Sequence, residues 1–230
     1  VLLLSSIALA AYSPDLLSAL IVGLMCIIAL AGCIHGLLPT ISITSGLLNG
    51  QKSIRKASET EGSSAWVAAL QIERFFQQKT LDGLFEEYRE KVQHQRETGQ
   101  IVSDLDEVLN EDVLALHTWK GVIAQLPGTL TGLGILGTFV GLLLGLRGIS
   151  FVTVEAALGS VQSILAGINT AFYTSIAGVI LSILFNITNN VLRTIMNRET
   201  GLFLEEFHIF RLTSRNRIRM YHRNPHHSCF

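Results

Sequence analysis

The chain has 230 residues, of which 49% are hydrophobic and only 15% are charged. Soluble domains usually contain about 25% charged residues, so this composition, with a mean hydropathy of +0.44, excludes an ordinary soluble domain. The formal net charge of −1 says little about partners, because the charges are unevenly distributed along the chain. The 3 cysteines, two of them inside an apolar stretch, do not suggest a disulfide framework.

Long stretches without formal charge predict the membrane-spanning helices. Residues 16–49 contain one histidine and no formally charged side chain, and residues 121–146 and 156–192 contain neither. Because about 20 apolar residues cross the hydrocarbon core of a bilayer, each stretch accommodates one crossing. We therefore predict an all-α integral membrane protein whose three transmembrane helices extend into a cytoplasmic helical bundle. The predicted transmembrane helices cover residues 16–38, 126–146 and 160–190.

The basic residues predict the orientation of these spans. Of the 17 Lys and Arg residues, nine lie between Lys52 and Lys120, seven lie between Arg193 and Arg223, and Arg147 stands alone in the link. The positive-inside rule then places the middle loop and the tail in the cytoplasm of a bacterium, with the protein in the inner membrane and its N-terminus in the periplasm. The remaining segments are an outer N-terminal segment (1–15), a cytoplasmic helical loop (39–125), a short periplasmic link (147–159) and a basic cytoplasmic tail (191–230).

The two ends of the chain leave several interpretations open. The chain begins at Val1 rather than Met, and residues 1–11 are apolar but too short to span a membrane. They fit the apolar core of a signal peptide, the remainder of a truncated earlier span, or an apolar outer segment, and we favour the last two. Three histidines and Cys229 near the end of the tail could bind a metal ion. That end is expected to be unstructured, so we expect no metal site.

The first span and the loop contain weaker signals. The first span is predicted to end near Pro39, and His35, although ionisable and therefore a candidate functional residue, lies close enough to the interface to reach water. In the loop, apolar residues at three-to-four spacing predict one helix from Trp66 through Val92 and a second from just after Ser103 through Trp119. The acidic cluster at the start of the second helix lacks the central glycine of a calcium loop and suits the first turns of a helix.

Small residues predict close packing between the second and third spans. They recur at intervals of three and four, so that they share helix faces, and in lipid such faces let helices approach closely. The predicted helix-packing residues are Gly134, Gly137, Gly141 and Gly145 on the second span, and Gly167, Ala171 and Gly178 on the third.

Hydroxyl side chains accumulate on the same faces. Thr138 lies on the second span, and Thr170, Thr174 and Ser175 lie on the third. An isolated Thr or Ser in a span usually bonds the carbonyl one turn back, but this clustering favours a polar lining. A hydroxyl does not release its proton at neutral pH, and neither span contains Asp, Glu, Lys or His. If protons cross here, the titrating group must therefore come from another chain.

Two motifs resemble the signature spans of the MotA/TolQ/ExbB proton-channel family. The first is Pro127-Gly128 followed by GLGILGTFVG at residues 132–141, and the second is GINTAFYTSIAG at residues 167–178. The three-span layout and the large inner loop also agree. Within the family, the sequences of both motifs are most similar to those of the ZorA subunits of Zorya anti-phage defence systems. The resemblance is strong over residues 121–190 and extends to the rest of the chain by topology.

The resemblance implies an assembly and a site. It implies a homopentamer around two copies of a single-span membrane partner (of the ZorB, MotB, TolR or ExbD kind) that carries a membrane Asp and a peptidoglycan-binding domain. Thr138 and Ser175 match the polar residues of the proton pathway, and Thr170 and Thr174 lie beside them. Thr170 stands where ExbB-like members often carry Glu, so that acidic contact is missing. ZorA-like proteins also have a long cytoplasmic tail, so either the tail is truncated in this chain or the chain belongs to another branch of the family.

The predicted function is therefore that of a proton-channel and motor subunit that uses the ion-motive force to drive rotation or force transmission, in anti-phage defence. One alternative is a TolQ/ExbB-type energiser of outer-membrane transport or envelope maintenance, and another is a passive membrane scaffold. The coupling ion, proton or sodium, stays open. We expect no enzymatic activity, no catalytic residue and no cofactor, and no direct binding to nucleic acid, so the partners are protein subunits, lipid and the ion.

Overall fold

The structure is a computed structural model that describes residues 15–60, 69–100, 102–147, 149 and 152–223, with the backbone alone for residues 59, 60 and 215–223. Every regular element among these residues is helical, which confirms the prediction of an all-α fold. The segment 1–14, the tail end from residue 224 and Trp66 lie outside the described residues, so the predictions made for them stay predictions.

The described elements follow each other as a series of helices. α1 is followed directly by a π-helical turn and by α2, and a short 3₁₀ turn at Leu105–Glu107 precedes α4. The helices are α1 (Leu16–Gly32), α2 (Leu38–Thr60), α3 (Lys79–Glu97), α4 (Glu111–His117), α5 (Lys120–Leu146) and α6 (Val154–Arg223), and the π-helical turn is Cys33–Leu37.

Within the part of the chain that the structure describes, three helical stretches are long and apolar enough to cross a membrane. They are Leu16–Ser58, Leu105–Leu146 and Val154–Ser214, and each includes one of the predicted transmembrane segments. Their surfaces carry many exposed large apolar side chains, such as Leu20, Phe139 and Phe172. Exposed apolar surface on this scale suits contact with lipid or with other subunits.

The helix that begins at Leu16 does not end near Pro39, contrary to the sequence-based expectation. The chain passes through the π-helical turn Cys33–Leu37 and continues as α2 to Thr60. A proline inside a helix removes one backbone N–H and its ring clashes with the carbonyl four residues earlier, here that of His35. A π-helical turn widens the helix at such a point, so the chain absorbs Pro39 without ending the helix.

The chain divides into two compact units, and the first contains α1, α5 and the part of α6 up to Val191. Gly32 and Gly36 let α1 come close to its neighbours in this unit. A Cβ atom on Gly36 would lie 2.7 Å from Ile123 Cδ1 of α5, and one on Gly32 would lie 2.8 Å from the Phe185 ring of α6. α1 therefore also packs closely against its neighbours through small residues, the kind of packing that the sequence indicated for α5 and α6.

The second unit contains α2, α3, α4 and the part of α6 from Leu192 onwards. Its core is a cluster of aromatic rings from α3, α6 and the segment before α3. Phe75 stacks on Phe85 with ring centroids 4.6 Å apart, and Phe76 meets Phe203 edge-on at 5.0 Å. Phe207 packs against the same cluster and is 1% exposed. Offset and edge-on pairs of this kind contribute beyond the area that they bury.

The helix predicted through Phe75 and Phe76 is wrong at these residues, which lie in a bend before α3. Gln77 adopts a left-handed backbone conformation with φ of 55°, which interrupts a right-handed helix. The Asp82 carboxylate accepts hydrogen bonds from the backbone N–H groups of Phe76 (2.8 Å) and Gln78 (3.0 Å). This side-chain cap fixes the bend and turns both phenylalanines into the core.

The second predicted loop helix, from just after Ser103 through Trp119, is divided into the 3₁₀ turn and α4. The Asn110 side chain accepts a hydrogen bond from the Val113 N–H at 3.0 Å and so starts α4 as an N-cap. The acidic residues lie in the first turns of these two short helices, as their pattern indicated. Among the described residues, no group of three His, Cys, Asp or Glu side chains is placed to hold a metal ion.

Candidate functional site

Glycines bring the backbones of α5 and α6 into direct contact. A Cβ atom on Gly141 would lie 2.9 Å from the Ala171 backbone nitrogen, and one on Gly145 would lie 2.9 Å from the Gly167 Cα atom. The neighbouring atoms belong to the backbone and cannot rotate away. We call this contact the glycine seam. Its residues are Gly134, Gly137, Gly141 and Gly145 on α5, and Gly167, Ala171 and Gly178 on α6, all of them buried.

The seam is tight on the α6 side as well. A Cβ atom on Gly167 would lie 2.6 Å from the Gly141 carbonyl oxygen, and one on Gly178 would lie 2.8 Å from the Leu130 carbonyl oxygen. Helices that approach this closely are held by backbone packing rather than by large side chains. The structure thus places every sequence-predicted packing residue at one continuous contact.

Two threonine hydroxyls meet at one carbonyl inside the seam. Thr138 donates to the Ala171 carbonyl of α6 at 3.3 Å and to the Gly134 carbonyl of its own helix at 3.1 Å. Thr174 donates to the same Ala171 carbonyl at 3.1 Å and to the Thr170 carbonyl at 3.0 Å. Thr174 is completely buried. The structure therefore brings Thr138 and Thr174 to one polar point between the two helices.

Ser175 and Thr170 flank this polar point. Ser175 is half-buried, and its carbonyl oxygen would lie 3.3 Å from a Cβ atom on Gly134, so it borders the seam one residue beyond Thr174. Thr170 is only 4% exposed. Thr170, Thr174 and Ser175 thus lie within two turns of α6, and Thr138 contacts the same stretch from α5. The other hydroxyls of α5 bond locally: Thr129 donates to the Gln125 carbonyl at 3.2 Å and is exposed.

Sequence reasoning missed Asp15 as a member of this site. The Thr170 hydroxyl donates a hydrogen bond to a carboxylate oxygen of Asp15, the residue directly before α1. The only signal in the sequence was the position of an acidic residue at the edge of an uncharged stretch, which predicts a helix start rather than a contact with another span. The carboxylate-free faces of α5 and α6 therefore have a carboxylate beside them, from the same chain.

His35 lies away from the hydroxyl groups, in an open groove of about 360 Å³. Apolar side chains line most of this groove, among them Leu126 and Trp119. Trp119 is 62% exposed and has a left-handed backbone, with φ of 50°, immediately before α5. The structure does not bring His35 together with Thr138, Thr174 or Asp15.

The second unit contains an ion-pair cluster that ties α6 to the chain before the 3₁₀ turn. Asp104 pairs with His208 at 2.5 Å and with Arg211 at 3.3 Å, and Arg211 also donates to the Ser103 carbonyl at 2.9 Å. Partial burial raises the pKa of Asp104, but hydrogen bonds to His208 and the Leu105 N–H and the Arg211 charge outweigh it, so the pKa lies below its ordinary value.

A buried tyrosine completes this cluster. The Tyr88 hydroxyl donates to the Ser103 carbonyl at 3.3 Å. Burial raises the pKa of Tyr88 to about 12, against the opposing effect of the Arg211 charge. Tyr88 therefore stays neutral at physiological pH and acts as a hydrogen-bond donor.

The seam offers hydrogen-bonding groups but no proton-transfer chemistry of its own. The hydroxyls of Thr138 and Thr174 each give their one proton to carbonyls, and each oxygen keeps lone pairs that accept a hydrogen bond. Such an oxygen accepts from a protonated carboxyl group. It cannot donate to an ionised carboxylate unless it gives up its carbonyl partner. The site therefore suits the neutral form of a carboxylic acid.

Comparisons with known proteins identify relatives. A family model described as the anti-phage protein ZorA of the Zorya type I system matches residues 1–198. A Zorya protein ZorA from Escherichia coli strain Crooks is 42% identical over 60 residues, which are 26% of this chain and 10% of that protein. Another, from Escherichia coli O139:H28 strain E24377A, is 27% identical over 191 residues, 77% of this chain and 25% of that protein. The matched regions thus span at most a quarter of these relatives.

Proposed function

Because the chain belongs to the ZorA-like family of Zorya type I anti-phage proteins, we propose that it is the channel-forming motor subunit of an inner-membrane defence complex. In this proposal five copies surround two copies of a single-span partner that carries a membrane Asp and a peptidoglycan-binding domain. Ion flow through the interface drives rotation of one component relative to the other. Family membership favours defence over outer-membrane transport or envelope maintenance.

One observation carries this proposal: Thr138 and Thr174 share the Ala171 carbonyl inside a seam of backbone contacts. A seam built from glycines has little freedom to repack, so its hydroxyl oxygens are held at fixed positions. Fixed acceptors stabilise a protonated carboxyl group at a defined point without rearrangement of the protein. Thr138 is half-buried and Thr174 is completely buried, so Thr138 is the acceptor that the partner's Asp would reach.

The proposed cycle follows from the cost of charge in lipid. A carboxylate near the bilayer centre is unfavourable by about 2.5–3.5 kcal/mol on insertion scales, and protonation removes that cost. The neutral Asp of the partner then moves past Thr138 and Ser175 and releases its proton on the cytoplasmic side. A membrane potential of 100 mV supplies about 2.3 kcal/mol per charge, which matches the size of the barrier.

The proposed orientation has the N-terminus and the α5–α6 link in the periplasm, and the second unit in the cytoplasm. It is supported by the distribution of basic residues, because Lys52, Arg55 and Lys56 follow the first span and Arg147 is the one basic residue of the link. In this orientation α2, α3, α4 and the end of α6 form the cytoplasmic helical bundle.

Removal of two of the four predicted pathway hydroxyls tests the proposal in cells. We expect the double variant Thr138→Ala with Ser175→Ala, made in the natural gene context, to lose phage protection by more than about tenfold while the complex still assembles in the membrane. The matched control is Thr129→Ala, which removes an exposed hydroxyl of the same helix outside the seam. Full protection by the double variant would contradict the proposal.

The same hydroxyl geometry supports a second candidate, a passive membrane scaffold. Thr138 and Thr174 both bond carbonyls one turn back, and this arrangement also satisfies a hydroxyl that has no ligand. A scaffold needs the glycines but not the hydroxyls. The double variant would then keep full protection, whereas a bulky substitution at Gly141 would abolish it.

A further inference from the structure

Asp15 lies beside the helix pair near the C-terminal end of α5. Its hydrogen-bond partner Thr170 precedes Ala171, which packs against Gly141, and Gly141 lies five residues, roughly 7.5 Å, before the end of α5 at Leu146. The carboxylate of Asp15 is therefore beside this part of the glycine seam, although its residue comes before the first uncharged stretch.

Asp15 forms no ion pair among the described residues, whose ion pairs within 4.0 Å all belong to the second unit. The charged side chains at this end of the first unit are Arg147, directly after α5, and Glu155, in the first turn of α6. A carboxylate that contacts a membrane-spanning helix is a candidate functional residue.

A series of polar groups joins Asp15 to the point where the two hydroxyls meet. Asp15 accepts from the Thr170 hydroxyl, and the Thr170 carbonyl accepts from Thr174 at 3.0 Å. Thr174 and Thr138 then share the Ala171 carbonyl. Asp15 is exposed at the surface of the single chain, so an ion can reach its carboxylate from outside the seam.

We propose that Asp15, oriented by Thr170, is an ion-binding residue of the pathway that this chain itself supplies, and that it takes up the entering cation before the cation reaches Thr138 and Thr174. This inference rests on the proposed channel function. It modifies the sequence-based prediction that the carboxylate comes from another chain, because the partner's Asp is then the second carboxylate along the pathway and not the first. Oxygen ligands from Asp15 and Thr170 suit either a proton or a sodium ion.

The decisive variant is Asp15→Asn in the full-length protein, reconstituted with its membrane partner in liposomes. Asparagine starts a helix as well as aspartate does and still accepts a hydrogen bond from Thr170, but it does not titrate. We expect ion flux to fall by at least about tenfold and Asp15→Glu to restore it. Flux is measured in parallel under a proton gradient and under a sodium gradient, and the gradient whose flux the variant lowers identifies the ion.

Two comparisons separate this inference from the proposed function. Glu155→Gln, which removes another exposed carboxylate near the start of α6, should leave flux unchanged. If Thr138→Ala with Ser175→Ala abolishes flux while Asp15→Asn keeps the flux of the unmodified protein, the role of Asp15 is overturned and the channel function stands. Partner-dependent flux that is absent from the unmodified complex overturns both.

Carbodiimide labelling tests the same residue without relying on the stability of a variant. A carbodiimide adds to a carboxyl group and rearranges to a stable N-acylurea, which removes its charge. In the unmodified complex, labelling of Asp15, located by peptide mass spectrometry, should lower ion flux in proportion to the labelled fraction. Labelling of Asp15 that leaves flux unchanged overturns the proposal even if Asp15→Asn does not assemble.

Discussion

At Gly141 the backbones of α5 and α6 are so close that a single methyl group has no room. An added Cβ atom would meet the Ala171 nitrogen at 2.9 Å and the Gly167 carbonyl oxygen at 3.0 Å. Gly132, on the same helix, has nothing within 4 Å of its Cβ position. The two glycines have the same backbone conformation and different surroundings, so they separate packing from helix propensity.

We therefore predict opposite effects for the two alanine substitutions. Gly141→Ala should destabilise the protein by about 1–3 kcal/mol, the usual cost of overpacking. Gly132→Ala should be neutral or stabilising by up to about 1 kcal/mol, because alanine is the better helix former. The melting temperature of the detergent-solubilised protein measures both. Equal melting temperatures for the two variants would show that the seam is not tightly packed.

At the scale of single residues, the sequence was informative where a small side chain allows two helices to approach each other. The spacing of the glycines predicted a close contact, and the structure places all of them there. It did not find the contact between Asp15 and Thr170, because the two residues are far apart in the chain and no spacing rule relates them. The missing acidic contact at Thr170 was noticed in the sequence, but not the residue that supplies one.

At the scale of elements, the end of α6 is held in the second unit by aromatic packing. Phe203 is completely buried between Phe75 and Phe76, whereas its neighbour Leu202 is 44% exposed. Phe203→Ala should lower the free energy of unfolding by about 3–5 kcal/mol, as large core truncations do, and Leu202→Ala by far less. Thermal or denaturant unfolding of the two variants in detergent compares them directly. Equal losses of stability would contradict this description of the core.

The ion-pair cluster around Asp104 predicts a dependence of stability on pH. Because the folded-state pKa of Asp104 is below its unfolded value of 3.8, the pair stabilises the protein above that value and loses its effect as pH falls through the folded-state pKa. The difference in melting temperature between the unmodified protein and Asp104→Asn should therefore shrink as the pH falls below about 4. Asp112→Asn, an exposed control, should show no such change.

The sequence predicted the type of most elements and misjudged where some of them end. Uncharged length predicted three membrane-crossing helices, because lipid excludes charge regardless of tertiary detail. Pro39 indicated a helix end, yet a π-helical turn lets the helix continue to Thr60. Phe75 and Phe76 fit a helical period, but the cap from Asp82 and the left-handed Gln77 place them in a bend. In both cases local hydrogen bonds determine where the helix continues or stops. The spacing of apolar residues in the sequence carries no information about such bonds.

At the scale of the whole molecule, the chain contains a tightly packed helix pair and, in the proposed function, only part of a machine. The predicted spans 126–146 and 160–190 contain hydroxyl groups and no carboxylate, so the proposed transport requires a carboxylate from Asp15, from a partner, or from both. The matched regions cover at most 25% of the curated relatives, and the long remainder of those proteins is where we expect the cytoplasmic output of the motion to arise. Neither the assembly nor its output follows from the fold of one chain.

The most direct test of the central claim is partner-dependent proton flux into liposomes that contain the full-length protein with its single-span partner. We expect flux only when both components are present, and its loss in the double variant Thr138→Ala with Ser175→Ala at unchanged assembly. Thr129→Ala should conduct like the unmodified protein. Undiminished flux through the double variant, or equal flux without the partner, would contradict the claim that the hydroxyl groups of the glycine seam carry the ion together with a partner's carboxylate.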